Sequence, residues 1–259
     1  MTESPLRVEG RVALITGSGH LVRVSVAKAT AKEITAAGGK AIVHIGNVAD
    51  RNVANAVVKT AVDNFGCIDI VINNAGHDML DVHVGGAWNV TQEAWPYMKG
   101  QNYGRVVMIA SPVILGAVQQ SSYGAAKMAV MELARSIAIE GKQHNILVNT
   151  MVPMAATLGN TKKMEDGQLR SLMEAYMPAR DIAPTVTWLG HETSQVNGET
   201  VMAINRLITW VFLAETKGFF GPAEGEWTPE SVRDNWHKVV DEKECNALAF
   251  IDSNTGLSR

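Results

Sequence analysis

The stretch Val12-Ala-Leu-Ile-Thr-Gly-Ser-Gly19 decides the fold. Its first five residues form a short apolar run, which is closed by Gly17, Ser18 and Gly19. An apolar run followed by a glycine-rich turn is typical of a buried parallel strand that leads into a helix. The helix amino terminus and the glycine backbone can hold a pyrophosphate, although an ordinary strand-to-helix turn would have the same sequence.

Apolar runs and helical periodicity alternate along the rest of the chain. Further strands are predicted at residues 41–45, 68–72, 105–109, 146–152 and 199–204. The first predicted helix buries Val24, Ala27, Ala31 and Ile34 and stops at Gly38-Gly39. Other helices are predicted at residues 53–65, 87–99, 122–140 and 169–176, with Ser121 or Ser122 as the cap of the fourth. This alternation predicts an α/β fold of three layers, a doubly wound, Rossmann-like parallel sheet with helices on both faces.

Size and composition predict one domain. The chain has 259 residues, of which 46% are hydrophobic, enough for a single large core. Residues 205–259 are predicted to form a C-terminal helical extension, packed on this domain or on a partner subunit, because Thr228 and Pro229 have the pattern of a capped helix start. The net charge of −3 argues against a nucleic-acid or membrane partner.

Cysteine usage indicates a reducing compartment. Cys67 and Cys245 are far apart and lack the spacing of a disulfide framework or a zinc site. No metal site is expected, since His77-Asp78 and His191-Glu192 are isolated pairs best explained as solvated loop residues. No apolar run approaches the length of a membrane span, so a soluble, cytoplasmic protein is expected, or a peroxisomal one if the source is eukaryotic.

Tyr123-Gly-Ala-Ala-Lys127 carries the strongest chemical signal. A tyrosine and a lysine four residues apart lie on one helix face, where the ammonium can favour the phenolate and so make a general acid/base. Tyrosine and lysine at this spacing are more often a core edge and a solvated stem. The preceding Ser111 and the Asn73-Asn74-Ala75-Gly76 stretch favour the catalytic interpretation, because the ends of parallel strands meet at one edge of the sheet.

This order of motifs resembles the short-chain dehydrogenase/reductase family over residues 11–204. Several stretches are similar to one branch of it, the (3R)-hydroxyacyl-CoA dehydrogenase modules of multifunctional β-oxidation enzymes, also known as 17β-hydroxysteroid dehydrogenases. They are Asp81-Val-His-Val-Gly85, Tyr103-Gly-Arg105, Ile139-Glu-Gly141 and Trp227-Thr-Pro-Glu230. The resemblance implies an oxidoreductase that interconverts a secondary alcohol and a ketone on a lipid-like small-molecule substrate.

The resemblance also implies roles for single residues. Tyr123 would be the general acid/base, Lys127 would lower its pKa and hold the nicotinamide ribose, and Ser111 would hydrogen-bond the substrate oxygen. His83 stands where most family members have the Asn of a proton relay, unless it only caps a helix. The implied binding residues for NAD or NADP are Gly17, Ser18, Gly19, Leu21, Asn47, Asn74, Ala75, Gly76, Tyr123, Lys127 and Pro153. Asn74 could equally stabilise a turn.

The chain departs from the family pattern around the cofactor. The glycine turn is about one residue short, with Val22 in place of its last glycine, and about one βα unit is missing near residues 30/31. Shorter gaps occur near residues 80/81 and 112. No acidic residue stands where one would read the ribose 2′ position, because Asp50 comes too late. NAD and NADP are therefore not separated, and either a shortened fold or omitted segments would explain the gaps.

Two further expectations concern assembly and a rival function. Helices 87–99 and 122–140 are those that relatives pair across a two-fold axis, so a homodimer or homotetramer is predicted, with Val90, Met128 and Met131 on exposed faces. The rival to an enzyme is a catalytically weakened family member that serves as a binding or scaffold protein. The substrate itself is not readable, since residues 155–167 carry no distinctive chemistry.

Overall fold

A six-stranded sheet forms the centre of the molecule. The computed structural model describes residues 8–17, 24–76, 80–156, 167–221, 223–224, 226–248, 250–252 and 256–258. The strands are β1 (Ala13–Ile15), β2 (Ile70–Asn73), β3 (Gly104–Ile109), β4 (Ile146–Met154), β5 (Thr200–Ile204) and β6 (Leu207–Val211). They lie side by side in the order in which they occur along the chain.

The first five strands are parallel. The register aligns Leu14 with Val71, Val106 with Val148, and Met151 with Val201, so the carboxyl ends of β1 to β5 lie at one edge. Only two residues, Asn205 and Arg206, separate β5 from β6. A connection that short can join only antiparallel neighbours, so β6 reverses direction.

Helices cover both faces of the sheet. The helices of this part of the chain are α1 (Val24–Ala36), α2 (Arg51–Phe65), α3 (Ala87–Gln101), α4 (Ser121–Gly141), α5 (Gly167–Tyr176) and α6 (Ala183–Gly190), and the packing of α2, α3, α4 and α6 forms the two cores. One apolar core joins α2, α3 and α4 to one sheet face, with Val58, Val90 and Val130 buried. A smaller core, which includes Leu189 of α6, covers the other face. The predicted α/β fold with a three-layer parallel sheet is confirmed.

The strand predicted at residues 41–45 is wrong. These residues have no regular secondary structure, and Ile42 and Ile45 are exposed. The preceding helix α1 runs without a break through Thr30 and Ala31, so the chain reaches this segment without forming the second strand and helix that a full unit would need. Ile34, predicted to be buried on α1, is exposed as well.

The described strands show no reversal of strand order. Because no strand forms at residues 41–45, β1 is the edge of the sheet rather than its centre. Leu14 is buried, whereas Ala13 and Ile15 on either side of it are exposed. The crevice between two oppositely wound halves, which a doubly wound dinucleotide fold uses, is therefore bounded here by one half only.

A cationic cluster holds the amino ends of the strands together. The buried guanidinium of Arg105 donates to the carbonyl oxygens of Gly104 at 2.8 Å and Asn145 at 3.0 Å. The Tyr103 ring lies between two guanidiniums, with Arg11 4.3 Å and Arg105 4.5 Å from its centroid. Each such contact contributes about 1 kcal/mol or more when it is shielded from water. The cluster lies at the opposite edge of the sheet from the strand ends that carry the site.

The fourth helix departs from its predicted start. Gln120 is the capping residue, without a side-chain hydrogen bond, so Ser121 and Ser122 do not cap it as predicted. Val90 and Met131 are buried in the protomer, which contradicts their predicted place on an exposed face; Met128 is exposed as expected. Of the three residues that supported the prediction of a dimer, only Met128 is therefore on an exposed face. None of the described helices combines the length and apolarity that crossing a bilayer requires.

The chain divides into two units, Met1–Trp210 and Val211–Arg259. The second contains α7 (Pro229–Val239), in which the Thr228 hydroxyl accepts from the Ser231 N–H at 3.2 Å, as a capped helix with a first-turn proline should. Its strands β7 (Ala214–Thr216) and β8 (Cys245–Ala247) pair antiparallel, as do β9 (Phe250–Asp252) and β10 (Gly256–Ser258). The capped helix was predicted, whereas the short strands were not.

Candidate active site

Lys127 is buried and fixed by the end of β3. Its Nζ donates a hydrogen bond of 2.7 Å to the carbonyl oxygen of Ile109, the last residue of that strand. An ammonium has three N–H groups, so this bond orients the side chain and leaves donors for a ligand. Burial lowers the pKa of Lys127 from 10.5 to about 8. The structure thus excludes the interpretation of Lys127 as a solvated stem.

Tyr123 lies one helical turn before Lys127 and faces it. The Lys127 Nζ is 5.8 Å from the centroid of the Tyr123 ring. The His83 ring packs on the same phenol, with 5.4 Å between ring centroids and a 52° angle between planes. The structure therefore brings together three of the predicted catalytic residues, which come from two separate elements.

A π-helix positions His83. It spans Asp81–Gly86 and leads directly into α3. An inserted turn of this kind is frequent at functional sites because it re-aims one side chain. The His83 ring also packs against Gly76, where a Cβ atom would lie 2.1 Å from its Cε1. Any larger residue at Gly76 would push the imidazole away from Tyr123.

The His83 imidazole is neutral at physiological pH. Burial and, next, repulsion by Lys127 lower the pKa of His83 from 6.5 to about 4, although a hydrogen bond with the Ala75 backbone opposes the shift. Its Nδ1 is buried and has no hydrogen-bond partner within the described residues. A buried polar atom without a partner is costly, so this nitrogen is available to a ligand or a water molecule at the site.

Ser111 begins the loop between β3 and α4. Its Oγ accepts a long hydrogen bond, 3.5 Å, from the Val113 N–H and thereby starts the 3₁₀ turn Pro112–Leu115. Because the oxygen accepts in this contact, the hydroxyl proton can be donated elsewhere. The first turn of α4 packs closely on this 3₁₀ turn, since a Cβ at Gly124 would lie 3.2 Å from the Val113 carbonyl oxygen. Ser111 and Tyr123 are thus held on one compact loop-helix unit.

Thr16 joins the ends of β1 and β2, a role that was not predicted. Its Oγ1 accepts from the Asn74 N–H at 3.1 Å and the Ala75 N–H at 3.0 Å, and the Asn74 side-chain amide donates to its carbonyl oxygen at 3.1 Å. Gly17 follows with a φ of +73°, and a Cβ there would lie 2.5 Å from the Ala75 Cα. A hydroxyl just before the glycine turn was the signal in the sequence.

The remaining residues that were predicted to bind the cofactor do not all lie at one place. Pro153 lies in β4 beside Ala203, at the same edge of the sheet as Ile109. Asn47 is exposed and lies in the irregular segment before α2, where its Oδ1 accepts from the Ala49 N–H at 3.1 Å. Ser18, Gly19 and Leu21, together with Val22, lie outside the described residues.

Possible metal ligands were sought among the described side chains. Among the described residues, no three His, Cys, Asp or Glu side chains cluster as a metal ion would require. His191, interpreted above as a solvated loop residue, is in fact buried, and its Nδ1 is 2.8 Å from the Thr193 hydroxyl. Its backbone carbonyl oxygen accepts a hydrogen bond from the Arg105 Nε at 3.4 Å.

Comparison with known proteins identifies the family of this chain. A family model described as short chain dehydrogenase matches residues 16–168. The chain belongs to the short chain dehydrogenase family. It is therefore an oxidoreductase of the kind that acts on CH–OH groups, and the family expected from the motifs is confirmed.

Individual short chain dehydrogenases show how this chain differs. It is 35% identical over 300 residues to peroxisomal multifunctional enzyme type 2 of Mus musculus, covering 98% of this chain and 40% of that protein. Because 300 aligned positions exceed the 259 residues present here, the mouse protein has insertions relative to this chain. The chain spans less than half the length of that relative.

Solved structures of the same fold agree. The full-length peroxisomal multifunctional enzyme type 2 from Drosophila melanogaster superposes with a TM-score of 0.78 at 29% identity, over 95% of this chain and 48% of that one. A short chain dehydrogenase from Mycobacterium avium gives a TM-score of 0.72 at 25% identity, over 88% of this chain and 85% of that one. The fold described above is thus shared with these solved structures.

Proposed function

We propose that this chain interconverts a secondary alcohol and a ketone on a lipid-like substrate, a 3-hydroxyacyl-CoA or a hydroxysteroid, with NAD or NADP as the hydride carrier. The observation that carries the proposal is the approach of both Lys127 and His83 to the Tyr123 ring, with Lys127 bonded to the carboxyl end of β3. Relatives named as multifunctional peroxisomal enzymes and a hydroxysteroid dehydrogenase of the same fold support the substrate class.

The residues present fit the nicotinamide side of such a cofactor. Lys127 has N–H groups beyond the one that Ile109 receives, which suit the ribose hydroxyls, and the buried Nδ1 of His83 lacks a protein partner within the described residues. The bound nicotinamide supplies the hydride chemistry. Everything else in the reaction is the transfer of one proton and the stabilisation of charge on one oxygen.

The protein's own groups divide that work. Ser111 donates its hydroxyl proton in a hydrogen bond to the substrate oxygen, and Tyr123 takes the proton of the alcohol, or returns it to the ketone. Lys127 favours the phenolate by its positive charge, and with a pKa of about 8 it keeps that charge over most of the neutral range. The His83 ring packs beside the Tyr123 phenol, and its imidazole can carry the proton from Tyr123 away from the substrate.

The test is substitution of the proposed acid/base. Tyr123→Phe should lower kcat by about 10²–10⁴-fold, the usual contribution of a positioned proton donor. The assay follows the absorbance of reduced nicotinamide with a panel of 3-hydroxyacyl-CoAs and hydroxysteroids. Tyr97→Phe, an exposed tyrosine on α3, is the matched control and should keep the wild-type rate. Unchanged turnover in Tyr123→Phe would exclude the mechanism.

A scaffold function is the second candidate. No described strand pairs with the outer edge of β1, and this favours a protein that binds the cofactor weakly. A ligand that binds only the native state raises thermal stability by mass action. Titration with NAD and NADP therefore separates the candidates: stabilisation supports the enzyme, and its absence at millimolar cofactor supports the scaffold. Cytoplasmic location and two-fold assembly stay predictions.

A further inference from the structure

Asn89 of α3 binds the chain that precedes α2. Its side-chain amide donates to the carbonyl oxygen of Val48 at 3.3 Å and to that of Ala49 at 3.0 Å. An amide has two N–H groups, so one side chain can serve both carbonyls. These carbonyl groups precede Asp50, the N-cap of α2, so they lie before the helical hydrogen-bond ladder and need a donor from outside it.

The continuous helical run from the π-helix into α3 turns one face toward this segment and toward α2. Gly86, Asn89 and Glu93 are spaced three and four residues apart, so they share that face. The Glu93 carboxylate accepts from the Arg51 Nε at 3.1 Å and from the Asn55 side-chain amide at 2.7 Å. The contact therefore extends from the chain before α2 into the first two turns of that helix.

Val48 packs against the end of the π-helix. A Cβ at Gly86 would lie 2.8 Å from the Val48 Cγ2, so the glycine leaves room for the valine side chain. Val48 is half-buried and packs on the larger apolar core, whereas the preceding Asn47 is exposed. The chain thus becomes buried at the residue whose carbonyl oxygen Asn89 binds.

The register of the π-helix decides where His83 points. A π-helix is usually a single turn inserted into an α-helix. A shift of one residue in register turns a side chain by about 100° around the helix axis. His83 stands three residues before Gly86, and its ring packs on Gly76 and on Tyr123. A change of register at Gly86 would therefore move the imidazole away from the Tyr123 ring.

We propose that Asn89 is a positioning residue for His83. It holds Val48 against Gly86 and so keeps the π-helix in the register that places the imidazole beside Tyr123. The inference deepens the proposed function and rests on it where turnover is concerned. The position of the imidazole can be measured without substrate or cofactor.

The first experiment is a proton NMR titration of the histidine Cε1–H signals of the full chain between pH 5 and pH 8, with His83 assigned by its absence from His83→Gln. Burial and, next, the charge of Lys127 lower the pKa of His83 from 6.5 to about 4, so the wild-type signal should hardly move. In Asn89→Ala the midpoint should rise by about one unit or more, because an imidazole that leaves its buried place regains water. An identical titration in both proteins would overturn the inference.

The groups that face His83 stay the same in this comparison. Lys127 and Tyr123, both on α4, are the titratable side chains that the structure describes around the imidazole. Neither is altered in Asn89→Ala. A raised midpoint therefore reports a change in the place of His83 rather than the loss of a neighbouring charge.

Asn55→Ala is the matched control. Like Asn89→Ala, it removes a side-chain amide that joins α2 to α3, but its partner Glu93 lies two turns beyond the π-helix contact. The His83 titration should stay that of the wild type, whatever stability the variant loses. A raised midpoint in both variants would show a general loosening of α2 on α3 and would contradict the specific role of Asn89.

A second pair of variants tests the contact with the π-helix. Gly86→Ala should raise the His83 midpoint, because its new Cβ meets the Val48 Cγ2 at 2.8 Å and one of the two elements must move. Adding Val48→Ala removes that Cγ2 and should restore the wild-type titration. A midpoint that stays high in the double variant would refute the role of Val48. This pair decides the question even where Asn89→Ala does not fold.

Turnover separates failure of this inference from failure of the proposed function. Because Asn89 acts through His83, Asn89→Ala should lower kcat by no more than His83→Gln does and should add little in the His83→Gln background. Effects that multiply would show independent action and overturn the inference. A shifted titration without oxidation of any alcohol would leave the positioning role intact and remove the dehydrogenase activity. Turnover with an unshifted titration would do the reverse.

Discussion

The buried His83 gives the protein a pH-dependent stability that can be calculated. Its pKa falls from 6.5 to about 4 on folding, mainly because burial disfavours the imidazolium. Between these two values the unfolded chain binds more protons than the native protein, so the free energy of unfolding rises with pH in this window. The difference between the two pKa values corresponds to ~3 kcal/mol, which partial solvent screening at the open side of the site reduces to ~2 kcal/mol.

The perturbation is His83→Gln, which removes the titrating group and keeps a polar side chain of similar reach. Urea denaturation at a series of pH values from 4.5 to 7.5 gives the free energy of unfolding of both proteins. The free energy of unfolding of the wild type minus that of His83→Gln should fall by ~2 kcal/mol between pH 7.5 and pH 4.5. Subtraction cancels every other titrating group that the two proteins share.

A second neutral replacement, His83→Asn, checks that the result does not depend on glutamine. It should give the same pH dependence, although its absolute stability will differ because the side chain is shorter. If the wild-type minus variant difference stays flat between pH 4.5 and 7.5, the imidazole is not desolvated in the native protein. The proposal that a neutral His83 imidazole packs against Tyr123 would then be refuted.

The other predictions concern the backbone near the cofactor and the entrance to the site. Gly17→Ala should cost at least ~2 kcal/mol of stability, more than Gly38→Ala, because both have positive φ but only at Gly17 would the new Cβ meet Ala75; equal losses in denaturation would contradict this. Leu115 and Val118, 71% and 90% exposed on the loop between β3 and α4, suit an apolar substrate chain. In wild type, kcat/KM should rise with the length of the acyl chain as each added CH₂ is buried. The double variant Leu115→Ser with Val118→Ser should lose ~0.8 kcal/mol of this gain for each CH₂ that it no longer covers. An unchanged dependence on chain length would place the acyl chain elsewhere.

The sequence predicted the helices and strands around Tyr123 and Lys127 because the signals for them are local. Tyr123 and Lys127 share a helix face by spacing alone, and α2 and α7 begin and end where their caps stand, at Asp50, Gly66 and Thr228. The strands at β2 to β5 are continuous apolar runs, as strands buried on both faces should be. Each of these features is decided by residues within one turn or one strand of each other.

Features that depend on residues far apart along the chain were not predicted from the sequence. Residues 41–45 have the apolar composition of a strand but form none, although the outer edge of β1 has no described partner, so tertiary context overrode local preference. The same reason explains Val90 and Met131, whose helix faces could not be assigned to the core or to a partner before the packing was known. Thr16 likewise depends on Asn74 and is 58 residues from it along the chain.

The geometry of the reacting end follows from how the sheet is built. Lys127 is fixed by β3, Ser111 by the loop after β3, and His83 by the π-helix before α3, and the strands involved pair with one another. The π-helix in turn packs on the segment before α2, because a Cβ at Gly86 would lie 2.8 Å from the Val48 Cγ2. The Asn89 side-chain amide holds the same segment by donating to the carbonyl oxygens of Val48 at 3.3 Å and Ala49 at 3.0 Å. The position of His83 therefore depends on the chain before α2 as well as on the strands of the sheet.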